Sequence, residues 1–120
     1  MNDLYEAKAA IIAAKEVMEA TGKDIPLVAS MVYDEGQKTL TGSSPEICAA
    51  VLESLGVAAL GLNCSLGPEQ MKPIVTRLLN STSLPILVKP NAGLPKSVNG
   101  QTVYDVGAEE FSDIVSGFCQ

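Results

Sequence analysis

A parallel α/β fold is what this sequence predicts, on three observations. Apolar runs that read as strands begin near residues 26, 57 and 84 with helical patterns between them, so a strand–helix unit recurs at roughly 30 residues. Those runs are apolar on both faces, as in a sheet covered by helices. The loops after the first and third strands, residues 34–43 and 90–107, are long or rich in turn residues. In parallel α/β folds that end of the strand carries the chemistry.

The elements follow in order. Leu4, Ala7, Ile11, Ala14 and Met18 recur at three- and four-residue steps, which is an amphipathic helix, and Gly22 stops it. Residues 26–33, PLVASMVY, form the first strand. Ser44-Pro45-Glu46 opens a second helix with an N-cap hydroxyl, a proline in the first turn and a carboxylate at the positive helix end. It runs to Leu55 and stops at Gly56. Residues 57–63 form the second strand. Gly67-Pro68-Glu69 opens a third helix, and Pro73 inside it predicts a kink or a short first turn. Residues 84–89 form the third strand. The stretch from Pro90 to Gly107 reads as a loop containing Tyr104 and Asp105, and residues 108–118 form the last helix.

Composition removes whole classes of function. Eight Lys and Arg against fourteen Asp and Glu leave a net charge of −6, so the basic surface that nucleic acids require is missing. No basic amphipathic stretch suits an anionic membrane, and the apolar runs fall far short of the roughly 20 residues that span one. The chain has no His, which excludes imidazole as base, nucleophile or metal ligand. With 47% hydrophobic residues it is too apolar for a disordered segment. Three cysteines, Cys48, Cys64 and Cys119, are an odd number without CxxC spacing, and read as reduced thiols of a cytoplasmic protein. No segment at the start has the form of a signal peptide. The length fits one domain, residues 1–120. A closed (βα)8 barrel needs about 250 residues. This reading has three βα units behind a helix with no strand before it, and it ends on a helix with no strand after it. The chain reads as part of a larger repeat.

Three stretches can carry chemistry. In Gly61-Leu-Asn-Cys-Ser-Leu-Gly-Pro68, Cys64 lies at a strand end just before a helix N-terminus, a place that favours a thiolate nucleophile or zinc ligand. A small buried cysteine is the competing account. One cysteine is not a metal site, because zinc takes three or four protein ligands. In Lys89-Pro-Asn-Ala-Gly-Leu-Pro95, Asn91 can present an amide or carbonyl to a small polar ligand, or simply make a turn. The loop from Asp34 to Gly42 can meet substrate or be a surface loop with Asp34 as its turn residue. Cys48 sits among apolar helix residues and reads as core. Cys119 has no partner spacing and no assigned role. There is no GxGxxG and no GxxxxGK[ST]. The scattered cations Lys8, Lys15, Lys72 and Arg77 read as solvated helix faces.

Together these stretches resemble the homocysteine S-methyltransferase family, and within it the homocysteine-binding domains of the cobalamin-dependent methionine synthases. The resemblance rests on Asp3-Leu-Tyr-Glu-Ala-Lys-Ala, Ser30-Met-Val-Tyr-Asp with Thr39-Leu-Thr-Gly42, Asn63-Cys-Ser-Leu-Gly-Pro68, Pro90-Asn-Ala-Gly-Leu-Pro95 and Asn99-Gly-Gln-Thr-Val-Tyr104. It covers essentially the whole chain. It implies a partial (βα)8 TIM barrel, about strands five to seven with helices four to seven, without the first half and the last strand. It implies homocysteine as substrate and a zinc held by three cysteines, of which Cys64 matches the first. The other two form an adjacent pair expected just after Gln120. An acidic substrate contact is expected just before Met1. Asn63 and Asn91 fall to the substrate amino acid, and no catalytic residue is assigned. Zinc would lower the thiol pKa of homocysteine so that a thiolate can attack a methyl group. The methyl donor would be methylcobalamin recharged from 5-methyltetrahydrofolate on other domains, with betaine and S-methylmethionine as the family's other donors. With one zinc ligand of three, the isolated chain is expected to be inactive. The competing readings are a non-catalytic remnant acting as an assembly or binding module, and a barrel enzyme with a Cys nucleophile, which the missing His disfavours. Exposed sheet edges predict a homodimer, or a rearrangement in which the first helix covers an edge.

Overall fold

The computed structural model describes residues 1–119. Helix α1 spans Leu4–Thr21. The carboxylate of Asp3 caps it by accepting from the backbone N–H groups of Tyr5 and Glu6 at 2.7 and 3.0 Å. Gly22 closes it in the left-handed conformation that glycine adopts without cost. Strand β1 (Val28–Met31), helix α2 (Pro45–Ser54), strand β2 (Ala59–Asn63), helix α3 (Pro68–Leu79) and strand β3 (Ile86–Lys89) follow. The strands are shorter than the apolar runs that announced them. Helix α3 continues past Pro73, which lies inside it.

The strands β1, β2 and β3 pair in sequence order and all in parallel. Parallel neighbours joined by right-handed crossovers send their connecting helices to the same side. The core shows that arrangement. Ala29, Met31, Leu60 and Leu62 from the strands meet Leu4, Ala7 and Ile11 of α1, Cys48, Ala49 and Leu52 of α2, and Met71, Ile74 and Leu78 of α3 in one buried cluster. Among the described residues no helix covers the other face, where Val28 is 54% and Leu87 is 44% exposed. The cause is the strict strand order, which leaves no crossover for the second face.

A further correction concerns residues 90–107. They are not a plain loop, because β4 (Lys96–Val98) and β5 (Gln101–Val103) form an antiparallel hairpin. Its turn is Asn99-Gly100, both with positive φ, 52° and 77°. Asn-Gly is the strongest short hairpin signal because a type I′ turn needs φ > 0 at both positions. Helix α4 (Ala108–Ser116) and a 3₁₀ turn (Gly117–Cys119) complete the described chain, and Phe118 packs against the core. On the free edge of β1, the Met1 amino group donates to Ser30 O at 2.7 Å and Val32 N donates to Met1 O at 2.8 Å. Those two bonds are a parallel bridge, so Met1 already stands in strand register beside β1. Among the described residues no helix is long and apolar enough to cross a membrane.

Candidate functional site

The C-terminal ends of β2 and β3 carry the residues that the sequence singled out. Asn63 is the last residue of β2 and stands in register with Lys89, the last residue of β3. Cys64 follows at once, with its backbone N donating to Lys89 O at 3.1 Å. Cys64 and Ser65 have φ of 59° and 65°. Non-glycine residues rarely occupy the left-handed region, and two in succession are backbone strain of the kind found at functional sites. That bend turns the Cys64 thiol outward. The side chain is exposed, not the small buried cysteine of the competing account. Cys48 is buried as expected, and Cys119 is exposed.

The two loops that follow β2 and β3 are fastened to each other. Asn91 N donates to Leu66 O at 2.9 Å, and Val106 N donates to Ala92 O at 3.1 Å. Gly67 and Gly93 make the approach possible. A Cβ on Gly67 would stand 2.9 Å from Gly93 Cα, and one on Gly93 would collide with Asp105 Oδ1. The glycines in the two motifs thus hold Cys64 and Asn91 at one end of the sheet.

Side-chain hydrogen bonds orient the site. Ser30 Oγ on β1 donates to Asn63 Oδ1 at 2.5 Å. Asn63 Nδ2 in turn donates to Cys64 Sγ at 3.0 Å. Gly61 lies between them on the open face, where a Cβ would meet Ser30 Oγ at 3.0 Å. Ser30, Asn63, Cys64, Lys89 and Asn91 line an open cleft of about 640 Å³, whose apolar floor is Val28 and Leu87. The structure therefore brings Asn63, Cys64 and Asn91 together. Ser30 and Lys89 join them in the cleft, although the sequence marks them only as members of longer motifs. The signal for them was the two-residue strand period, which puts Ser30 with Val28, and Lys89 with Leu87, on the uncovered face.

The loop after β1 is occupied with itself. Asp34 Oδ1 accepts from Lys38 N at 3.0 Å, so Asp34 is a turn residue. Thr39, 2% exposed, accepts from Ser43 N through its hydroxyl. Three of the cations on these solvated helix faces also hold partners. Arg77 grips Glu46 of α2 with two nitrogens, at 2.5 and 2.6 Å, and donates to Gln37 Oε1 at 3.0 Å. Arg77 and the Ser44 hydroxyl hold the Glu46 carboxyl down at about 2. Lys15 donates to Leu55 O at the end of α2, and Lys72 pairs with Glu69 one turn away. Beneath the loop, burial pushes the Tyr33 phenol well above its ordinary range, with the Cys48 thiol beside it adding to the rise. Burial raises Cys48 as well.

Among the described residues, no three His, Cys, Asp or Glu side chains stand close enough together to hold a metal. Cys64 is one donor, flanked by amides and a lysine. By itself this set does not fit zinc, which takes three or four protein ligands.

The sequence model of the family described as homocysteine S-methyltransferase matches residues 1–120. The methionine synthase of Mycobacterium leprae (strain TN) is 32% identical over 116 residues, which are 97% of this chain and 10% of that protein. The methionine synthase of Mycobacterium tuberculosis (strain ATCC 25618 / H37Rv) is also 32% identical over 116 residues, with the same coverage. The chain spans about a tenth of the length of these curated relatives.

Proposed function

Because the chain belongs to the homocysteine S-methyltransferase family, we propose that residues 1–120 form an arc of a homocysteine-binding (βα)8 barrel, its strands five to seven with helices four to seven. The arc supplies one wall of the site where a methyl group passes to the homocysteine thiolate to give methionine. One observation carries this reading: Asn63, Cys64 and Asn91 meet in a single cleft at the C-terminal strand ends. That is where (βα)8 enzymes place their chemistry. The one-sided helix layer, the sequential parallel strands and the strand register of Met1 all suit an arc with further strands on its edges. Its open face would then turn to the barrel interior.

Each residue has a task in this reading. Asn63 and Asn91 offer amides to the polar end of the substrate amino acid. Ser30 fixes the Asn63 amide so that its N–H group, and not its carbonyl, faces Cys64 Sγ. Cys64 is proposed as one of three cysteine ligands to zinc. Two donors absent from this cleft must join it, so the described residues alone do not bind the ion in a catalytic form. Zinc, when bound, supplies the acidity that makes a thiol a thiolate near neutral pH. The likeness to methionine synthases favours methylcobalamin, recharged from 5-methyltetrahydrofolate on other domains, as methyl donor. Three free cysteines suit a cytoplasmic setting.

The isolated chain is proposed to be catalytically inactive and to hide the outer edge of β3 by pairing with a second copy. Native mass spectrometry with added zinc and homocysteine tests both statements together. A metal-free dimer agrees with them. A compact monomer at all concentrations removes the pairing, and zinc-dependent methionine formation by the chain alone removes the inactivity.

A further inference from the structure

We propose that Asn99 is a site of spontaneous covalent modification, deamidation through a succinimide, and that its isoaspartyl product unlocks the β4–β5 hairpin. The inference does not depend on the homocysteine reading. Of the asparagines Asn2, Asn63, Asn80, Asn91 and Asn99, Asn99 alone precedes a glycine. With no Cβ on Gly100, little shields its backbone nitrogen from the neighbouring side chain. Both residues are exposed, and a Cβ built on Gly100 would meet nothing within 4 Å. The ladder closes on the Val98–Gln101 pair, so the two turn residues stand outside it. Among the described residues, Gly100 N donates to no backbone carbonyl. The hairpin is also easily opened. It has three residue pairs and its strands are exposed at every position, and a two-stranded ribbon of that size is marginal in water. Opening releases Asn99 from its left-handed φ of 52° and lets its amide carbon swing against Gly100 N.

The chemistry balances with water as the only co-reactant. Gly100 N loses its proton and bonds to Asn99 Cγ, the Cγ–Nδ2 bond breaks, and the side-chain nitrogen leaves as ammonia. A water molecule then opens the ring. Cleavage between Cγ and Gly100 N gives aspartate, and Asp-Gly suits the same type I′ turn. Cleavage between the Asn99 main-chain carbonyl carbon and Gly100 N gives isoaspartate, whose chain runs through Cβ and Cγ. That extra backbone atom displaces the Val98–Gln101 register. The base of the hairpin is pinned by the Lys96–Asp105 ion pair at 2.6 Å and by Val106 N donating to Ala92 O at 3.1 Å. Asp105 stands against Gly93, in the loop that carries Asn91. A hairpin that loses its register therefore loosens the Asn91 side of the cleft.

The test ages the purified chain in warm neutral buffer, beside the same chain unfolded in urea, and reads both by peptide mass. Lys96 is the last basic residue, so trypsin releases residues 97–120 with Asn99 as their single asparagine. That peptide should gain about 1 Da and separate into two products of equal mass, and fragmentation should place the gain at Asn99 and not at Gln101. In the folded chain Asn99 should react roughly tenfold faster than Asn80, or more. Asn99→Gln, whose longer side chain closes the ring far more slowly, should lack the gain. In NMR spectra the isoaspartyl chain should lose the cross-strand contacts of the hairpin and shift the Asn91 amide, whereas Asn99→Asp should keep both. An unmodified Asn99 in the folded chain overturns the site, and modification in urea alone would show that the turn protects it. Equal rates at Asn80 and Asn99 would overturn it too. An isoaspartyl chain with unmoved hairpin and Asn91 signals would overturn the unlocking.

Discussion

Ala29, Met31, Leu60 and Leu62 lie on one face of the three-stranded sheet under helices, each 6% exposed or less. Val28, Ser30, Asn63 and Lys89 come from the same strands and lie on the other face in the open. The covered face is uniformly apolar and has no side-chain polar atom to satisfy. The open face mixes the apolar side chains of Val28, Ala59 and Leu87 with a hydroxyl, an amide and an ammonium, and its polar members stand near the C-terminal strand ends. One set of strands thus has two different faces: one is packed into the core and the other carries the polar side chains of the cleft. The two should respond to substitution in opposite ways.

The largest contrast is in the core. Leu62→Ala should lower unfolding free energy by about 2–5 kcal/mol, since the side chain is closely packed and the cavity cannot collapse. Cys64→Ala, one residue beyond Asn63, should change stability by less than about 0.5 kcal/mol, because the thiol is exposed and packs against little. Urea melts of both variants measure this directly, and equal losses would break the contrast between the two faces. A smaller loss, about 1–3 kcal/mol, is expected for Gly93→Ala. Its φ is 99°, and the added methyl would run into Asp105 and Val106. That variant should also shift the NMR signals of Cys64, because the two loops are tied through Asn91 and Leu66. Unmoved Cys64 signals would show that the loops are not mechanically coupled.

The parallel βα order was legible because the strand runs, the glycine stops and the Ser44-Pro45 start all agree. The open face was not legible. Strands with apolar residues at consecutive positions look the same whether the second face meets helices or the interior of a barrel. Ser30, Gly61, Asn63 and Lys89 held the hint, polar or small residues at two neighbouring levels on one face, Ser30 opposite Gly61 and Asn63 opposite Lys89, but those levels depend on register, which a single sequence does not print. The hairpin turn is legible in Asn99-Gly100, but the strands on either side, KSV and QTV, are short and polar and carry no apolar alternation. The motifs locate Cys64 and Asn91, while the need for their glycines lies in the close approach of the two loops, which no local pattern records. The Arg77–Glu46 pair spans two helices 31 residues apart, a distance at which charge patterning is blind.

The next effect belongs to the covered side and appears in alkali. Tyr33 is buried beside Cys48, and burial raises both groups above their ordinary values of 10.0 and 9.0. A raised acid keeps its proton in the fold and loses it more easily in the unfolded chain. Its contribution is therefore complete below the unfolded pKa and is lost as pH rises toward the folded one. Stability should hold through neutral pH and fall from about pH 9 upward. Tyr33→Phe, which keeps the ring and removes the phenol, should flatten the part of the fall that begins near 10. Thermal melts from pH 7 to 11 read this out. An unchanged slope in Tyr33→Phe would assign the alkaline loss elsewhere.

The smallest effect lies outside the helices, where Arg77 ties Glu46 of α2 to Gln37 in the loop after β1. The signs here run the other way. The Glu46 carboxyl is held at about 2, below its ordinary 4.5, by the Arg77 hydrogen bonds first and the Ser44 hydroxyl second. A depressed carboxylate contributes fully above the unfolded pKa and loses its contribution as pH falls from there toward the folded value. Both partners are substantially solvent-accessible, so the pair is screened and the loss is small. Glu46→Gln should therefore be slightly less stable than the parent at pH 7, and the gap should narrow as pH falls from 4.5 toward 2. Added salt should narrow it at pH 7 too. Gln37 holds a φ of 59° while Arg77 grips its side chain, so the backbone of residues 34–38 should loosen in the same variant, seen as faster amide exchange. A gap that persists unchanged at pH 2 would mean that Glu46 acts by packing or capping and not by charge. The covered side would then owe its stability to its apolar core without help from the ion pair that brackets it.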